Sequence, residues 1–177
     1  MKSKEVAWSG ITMALTVILI VLSGVIESSS LFILALASFA TGIVERKFSL
    51  RTGIAFTIGA ALIGFFVAPQ KLYVFTYLGF SIYVVVAEYF RDKKIYGIKP
   101  FVIKGVLYHV LLAAAVALVN CFVGFDMFLE NSFINNISKI QVLYYLVVCV
   151  FAEALWILFD KAYIFFQERY GLLFIEK

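Results

Sequence analysis

One histidine, His109, and two cysteines, Cys121 and Cys149, are all that the sequence offers a soft metal ion. They do not cluster: there is no CxxC pair and no Cys/His spacing of the kind that builds a metal site. Both cysteines lie inside apolar runs, where the plain reading is a small buried hydrophobe. Equally missing are HExxH, GxSxG, a paired acidic motif and the phosphate-cradling GxxxxGK[ST] loop. The chain is therefore expected to be no enzyme, to hold no metal or cofactor, and to lack an ATP engine of its own. Active work would have to draw on a gradient or on another subunit. Charge is scarce as well, at 15% of residues, with 11 acidic against 15 basic side chains and a net charge of +4. A basic surplus suggests nucleic acid only when it forms a patch. Here it is dispersed through short gaps between apolar runs, so nucleic acid is not an expected partner.

What the sequence has in excess is apolar content. At 177 residues the chain has the length of one domain, yet 64% of it is hydrophobic and the mean hydropathy is +1.02, whereas soluble domains hold about 45–50% apolar residues. The expected class is an all-α, multi-pass integral membrane protein forming a single domain. Apolar windows at about 6–26, 28–44, 52–68, 72–89, 105–125 and 140–160 approach the roughly 20 residues that a helix needs to cross a bilayer, giving six expected spans. With the amino terminus inside, Lys2, Lys4, Arg46, Lys47, Arg51, Arg91, Lys93, Lys94, Lys99, Lys104, Lys161, Arg169 and Lys177 fall on the inner side, and only Lys71 and Lys139 fall outside. This asymmetry is the positive-inside pattern, and it places both termini in the cytoplasm of a cell membrane, with a bacterial plasma membrane the expected one. The first apolar run exceeds the 7–15 residues of a signal-peptide core, so it is expected to remain as a helix.

The outer loop at 126–139 is polar but carries Met127, Phe128, Leu129 and Phe133, which suits an interfacial cap or a lid. Asn136, Ile137 and Ser138 match a glycosylation sequon, a pattern common by chance. Residues 161–177 mix aromatics with charges and read as a helix extension at the inner interface. No internal repeat is evident.

Three groups of residues are candidates for function. Small residues let helices approach in lipid: Ala7, Gly10 and Ala14 on the first helix, and Gly53, Ala60 and Gly64 on the third. They serve either packing within the chain or contact with a partner. Ionisable groups at depth form the second set, Glu88, Lys104, His109, Glu153 and Asp160, gathered in the inner half. A carboxylate there costs about 2.5 kcal/mol or more on insertion scales, so Glu153 calls for a partner, with Lys104 or His109 the obvious choices. A structural pair, a proton relay and a contact with a cytoplasmic-side protein all fit that pattern. Finally, Asn120, Tyr77, Thr76, Gln141, Tyr144 and Glu27 are polar groups of the outer half that would converge around a small ligand, although interfacial tyrosines also serve as membrane anchors.

The pattern WSGITMALTVILIVLSG, followed by SLFILALASFATGIVERKFSLRTGIAFTIGAALIGFFVAP, resembles the S components, the substrate-binding subunits of energy-coupling factor (ECF) transporters. KLYVFTYLGFSIYVVVAEYF and FDKAYIFFQERY are similar to small S-component-like membrane proteins of Firmicutes. The resemblance implies a six-helix body that binds a small molecule in its outer half, under the loop between the first two helices, here the short IESSS. It also implies a transmembrane coupling subunit driven by two ATPases, which in that family packs on small residues of the first helix. Gly10 and Ala14, with Ala7 one turn earlier, are the nearest match. The competing reading is a non-transporting scaffold, or a small subunit of a cell-envelope complex, that uses the same faces for assembly.

Overall fold

The computed structural model describes residues 3–123, 138–169 and 171. Among them the chain is helical, without strands: α1 (Ser3–Ser23), a 3-10 turn (Glu27–Ser29), α2 (Ser30–Lys47), α3 (Leu50–Val67), α4 (Lys71–Asp92), α5 (Ile98–Val123) and α6 (Ser138–Arg169). Among the described residues, five helical stretches are long and apolar enough to cross a membrane: Glu5–Ser23, Glu27–Lys47, Leu50–Val67, Lys71–Asp92 and Ile98–Leu118. Large apolar side chains cover the outside, among them Phe66 at 81% and Ile98 at 78% exposure. Such a surface is a liability in water and the expected one in lipid. The cap or lid expected at 126–139 and most of the sequon fall outside the described residues.

The helices run past the apolar windows at the end of the bundle that holds the α2–α3 and α4–α5 turns, called the basic end below. α2 continues through Glu45, Arg46 and Lys47, and α4 continues through Glu88 and Arg91 to Asp92. Hydropathy marks where charge begins, whereas a helix ends only where its backbone loses partners. The α2–α3 turn is therefore short. Ser49 caps α3 by accepting a hydrogen bond from the Thr52 amide at 3.3 Å, a contact of the kind worth about 1 kcal/mol. At the α4–α5 turn Gly97 takes φ 106°, a left-handed conformation open to glycine at no steric cost.

α2 is the hub, packed against α1, α3 and α4, with α6 resting on it and α5 lying along α4. In lipid no hydrophobic drive brings helices together, so close backbone approach must supply the attraction. Buried Ala37, Ala60 and Ala61 accordingly share a core with Ile20, Leu34, Val74 and Tyr77. Gly64 sets its backbone against Ile20, where an added Cβ would lie 3.4 Å from the Ile20 Cδ1. At the opposite turn Gly24 packs on Pro69, where an added Cβ would lie 3.0 Å from the Pro69 Cγ. A second apolar cluster, Phe39, Val84 and Tyr163 with Phe159 and Phe166, joins α6 to this bundle.

Candidate functional site

The ionisable residues expected to gather in one half of the molecule separate into three groups. Glu88 of α4 anchors the first. Arg46 of α2 grips it with two parallel bonds, Nε to Oε2 at 2.8 Å and Nη2 to Oε1 at 2.7 Å. Arg91 adds a contact from Nε to Oε2 at 2.6 Å, and the Tyr163 hydroxyl of α6 donates to Oε1. Glu88 is 1% exposed, so this fork-on-fork geometry is what makes a charge tolerable there. Close by, the Gln167 side-chain amide donates to the Phe39 carbonyl at 3.1 Å, and Gly42 leaves the space for Tyr163 and Gln167 to reach α2. Glu45, also buried, faces Gly53 of α3, and neither of its carboxyl oxygens has a hydrogen-bond partner among the described residues.

Asp160 of α6 centres the second group. Lys104 Nζ of α5 lies 2.6 Å from its Oδ1, and the Tyr83 hydroxyl of α4 donates to the same oxygen at 2.8 Å. Trp156 Nε1 completes the chain by donating to the Tyr83 hydroxyl at 2.9 Å. Three helices are thereby stitched at one level, and Gly105 opens α5 to the Trp156 ring, whose nearest carbon would stand 3.2 Å from a Cβ.

Glu153 belongs to the third group. Its partner is His109, with Nε2 to Oε1 at 2.8 Å, and one residue away on each helix the Tyr108 hydroxyl donates to the Ala152 carbonyl at 2.9 Å. Of the two expected partners, Lys104 is committed to Asp160 and His109 takes Glu153. The pair is open to the outside, with the His109 side chain 57% and that of Glu153 42% exposed.

Of the candidate ligand residues, the side chains of Tyr77, Thr76 and Glu27 are described, and no hydrogen bond joins them among the described residues. Tyr77 is fully buried in the α1–α4 core, its hydroxyl 3.4 Å from Thr41 Oγ1, which also contacts Ser81 and Thr57 at 3.5 Å. Thr76 turns its hydroxyl back to the Leu72 carbonyl of its own helix at 3.1 Å, a common resort for a threonine in lipid. Glu27 is exposed in the 3-10 turn. Asn120, Gln141 and Tyr144 lie on helices, but their side chains fall outside the described residues. Two surface grooves are lined by apolar side chains alone, one between α3 and α4 beside Phe65 and Phe75, the other along α1 beside Val21 and Val67.

The two sets of small residues part company. Gly53, Ala60 and Gly64 of α3 are buried within the bundle, whereas Ala7, Gly10 and Ala14 of α1 face outward. Around a Cβ built on Gly10 nothing lies within 4 Å. The basic end of this helix is held in place by Lys47 Nζ, 4.2 Å over the Trp8 ring, and by Phe48 edge-on to Trp8 at 5.7 Å. The outward side of α1 thus carries these small residues among exposed Val6, Ile11, Leu15 and Ile18, and its basic end is anchored on the α2–α3 turn.

Sequence reasoning missed Arg46, Tyr163 and Gln167 as members of the buried network. Arg46 was counted only for topology. The signal that finds it is helical phase: Phe39, Gly42 and Arg46 fall at steps of three and four, on one face of α2. Compared with protein-family models, with characterised proteins and with solved structures, the chain shows no match in any of the three.

Proposed function

We propose that the chain is a small multi-pass membrane subunit that works docked to another membrane protein through α1. In the reading its resemblance favours, it is an S-component-like subunit that binds a small molecule in its outer half for uptake with an ATP-driven partner. The observation that carries the docking half is the outward strip of Ala7, Gly10 and Ala14. A stripe used for internal packing would be covered, as that of α3 is, while a sterically open one suits close approach by a foreign helix. In this reading α6 is the sixth span, both termini lie on the cytoplasmic side with the basic turns, and the membrane is the cell membrane. Asn120, Gln141, Tyr144 and Glu27 remain the ligand candidates, since the hydroxyls of Tyr77 and Thr76 are already engaged.

The test is native mass spectrometry of the protein extracted gently from its own membrane. The expected result is co-purification of a transmembrane coupling subunit with ATPases, lost in Gly10→Leu/Ala14→Leu while melting temperature holds. A complex that survives both changes counts against the α1 face. The apolar lining of both described grooves favours a second reading, a scaffold or small subunit of a cell-envelope complex. That reading predicts envelope proteins instead of ATPases and no retained small molecule.

A further inference from the structure

The contact between His109 and Glu153 constrains where protons sit. Nδ1 of His109 is 2.8 Å from the Gly105 carbonyl oxygen, and since a carbonyl only accepts, Nδ1 must carry a hydrogen. Nε2 then faces Glu153 Oε1 at 2.8 Å. Without a proton between them, two lone pairs would meet at hydrogen-bond distance. With one proton the pair is neutral overall, either imidazole beside carboxylic acid or imidazolium beside carboxylate.

The setting is apolar. His109 is the twelfth of the 21 residues in the window Ile98–Leu118, near the middle of the helix. Val106 and Val116 on α5, and Val150 and Ile157 on α6, are exposed around the pair at 59, 51, 60 and 42%. Cys149, one turn before Glu153, is exposed as well. The other polar groups nearby are spoken for: Tyr108 donates to the Ala152 carbonyl, and Lys104 and Asp160, toward the basic end, pair with each other and with Tyr83 of α4. No further charged side chain is bonded to the pair among the described residues, so losing its proton leaves a net negative charge with nothing to offset it.

We propose that His109 and Glu153 form a proton-binding site open to the lipid, a single proton held between the imidazole Nε2 and the carboxyl Oε1 on the outward face of the α5–α6 pair. The site goes beyond the docking reading and does not depend on it. Its chemistry is that of an acid reachable from hydrocarbon. A lipid-soluble carbodiimide reads this directly: the carboxyl oxygen adds to the central carbon, the shared proton passes to a carbodiimide nitrogen, and the O-acylisourea rearranges to a stable N-acylurea without loss of an atom.

The experiment treats the full chain in phosphatidylethanolamine/phosphatidylglycerol vesicles with dicyclohexylcarbodiimide and, separately, with a water-soluble carbodiimide. A hydrophobic aryl diazirine, whose carbene inserts into C–H bonds and needs no thiolate, serves as the accessibility control at exposed Val150, and all products are located by peptide mass spectrometry. The site predicts that Glu153 is modified by the lipid-soluble reagent only, with a yield that falls severalfold from mildly acidic to alkaline pH. In His109→Ala, where the sharing base is gone, that pH profile changes. Modification of Glu153 by the water-soluble reagent at a similar rate would overturn the proposal, as would no modification while the diazirine labels Val150. Absence of diazirine label at Val150 would mean that the face is covered and would overturn the site's opening to lipid, and an unaltered profile in His109→Ala would rule out the shared proton.

Discussion

α1–α4 and the α5–α6 pair are assembled on different terms. In the first, backbones come close: Gly53, Ala60 and Gly64 admit their neighbours, and the polar groups inside are mostly hydroxyls such as Thr41, Thr57, Ser81 and Tyr77. In the second, α5 and α6 meet through long side chains: His109 to Glu153, Tyr108 to the Ala152 carbonyl, and Lys104 to Asp160. The difference follows from the solvent. Where small residues allow it, dispersion between backbones suffices in lipid; where bulkier faces keep helices apart, only hydrogen bonds and ion pairs reach across. Glu88 lies where the two schemes join, because its carboxylate binds α2 through Arg46 and α6 through Tyr163.

The sharpest way to break this picture is therefore Glu88→Leu. It strands Arg46 and the Tyr163 hydroxyl around a buried apolar side chain, while Arg91 keeps Asp92; the expected loss is about 3–5 kcal/mol, read as a large drop in melting temperature in nanodiscs. Gly42→Leu attacks the same joint through space, driving a side chain into Tyr163 and Gln167. Overpacking of this kind costs about 1–3 kcal/mol, and limited proteolysis should find α6 released first. Asp160→Asn keeps the Tyr83 bond but leaves Lys104 facing an amide; the loss of a charge-assisted bond is worth about 1.5–3 kcal/mol, with the weight toward the lower figure, and denaturation in mild detergent measures it. Glu153→Gln should be tolerated, because the amide still bonds His109, whereas Glu153→Leu should lower the melting temperature, because leucine leaves His109 Nε2 without its partner. Smallest of all, Gly10→Leu should change stability by no more than about 0.5 kcal/mol, since the added side chain meets nothing in the chain.

Much of the helical plan was legible from hydropathy, because a charge-free window is the signature a bilayer imposes. The helix ends were less so. α2 continues through Arg46 because the ion pair with Glu88 of α4 offsets its charge, a compensation that no window average registers. That Glu88, Lys104, His109, Glu153 and Asp160 divide into three groups was not readable from the sequence. Which carboxylate meets which base depends on the rotation of each helix about its axis, and that is set by contacts such as Trp156 on Gly105. The burial of Tyr77 was likewise out of reach, since a tyrosine at that depth suits a belt, a ligand or a core equally well, and Thr41 decides the matter from another helix.

The central claim is that α1 presents its small-residue face to a partner. The most direct measurement is a photo-crosslinking amino acid placed at Ala14 in the native membrane, with a second at buried Ala60 as the control. The account predicts a specific adduct to a different membrane protein from position 14 and only intramolecular adducts from position 60. Lipid adducts alone from position 14, in cells where the protein is folded and abundant, would contradict it.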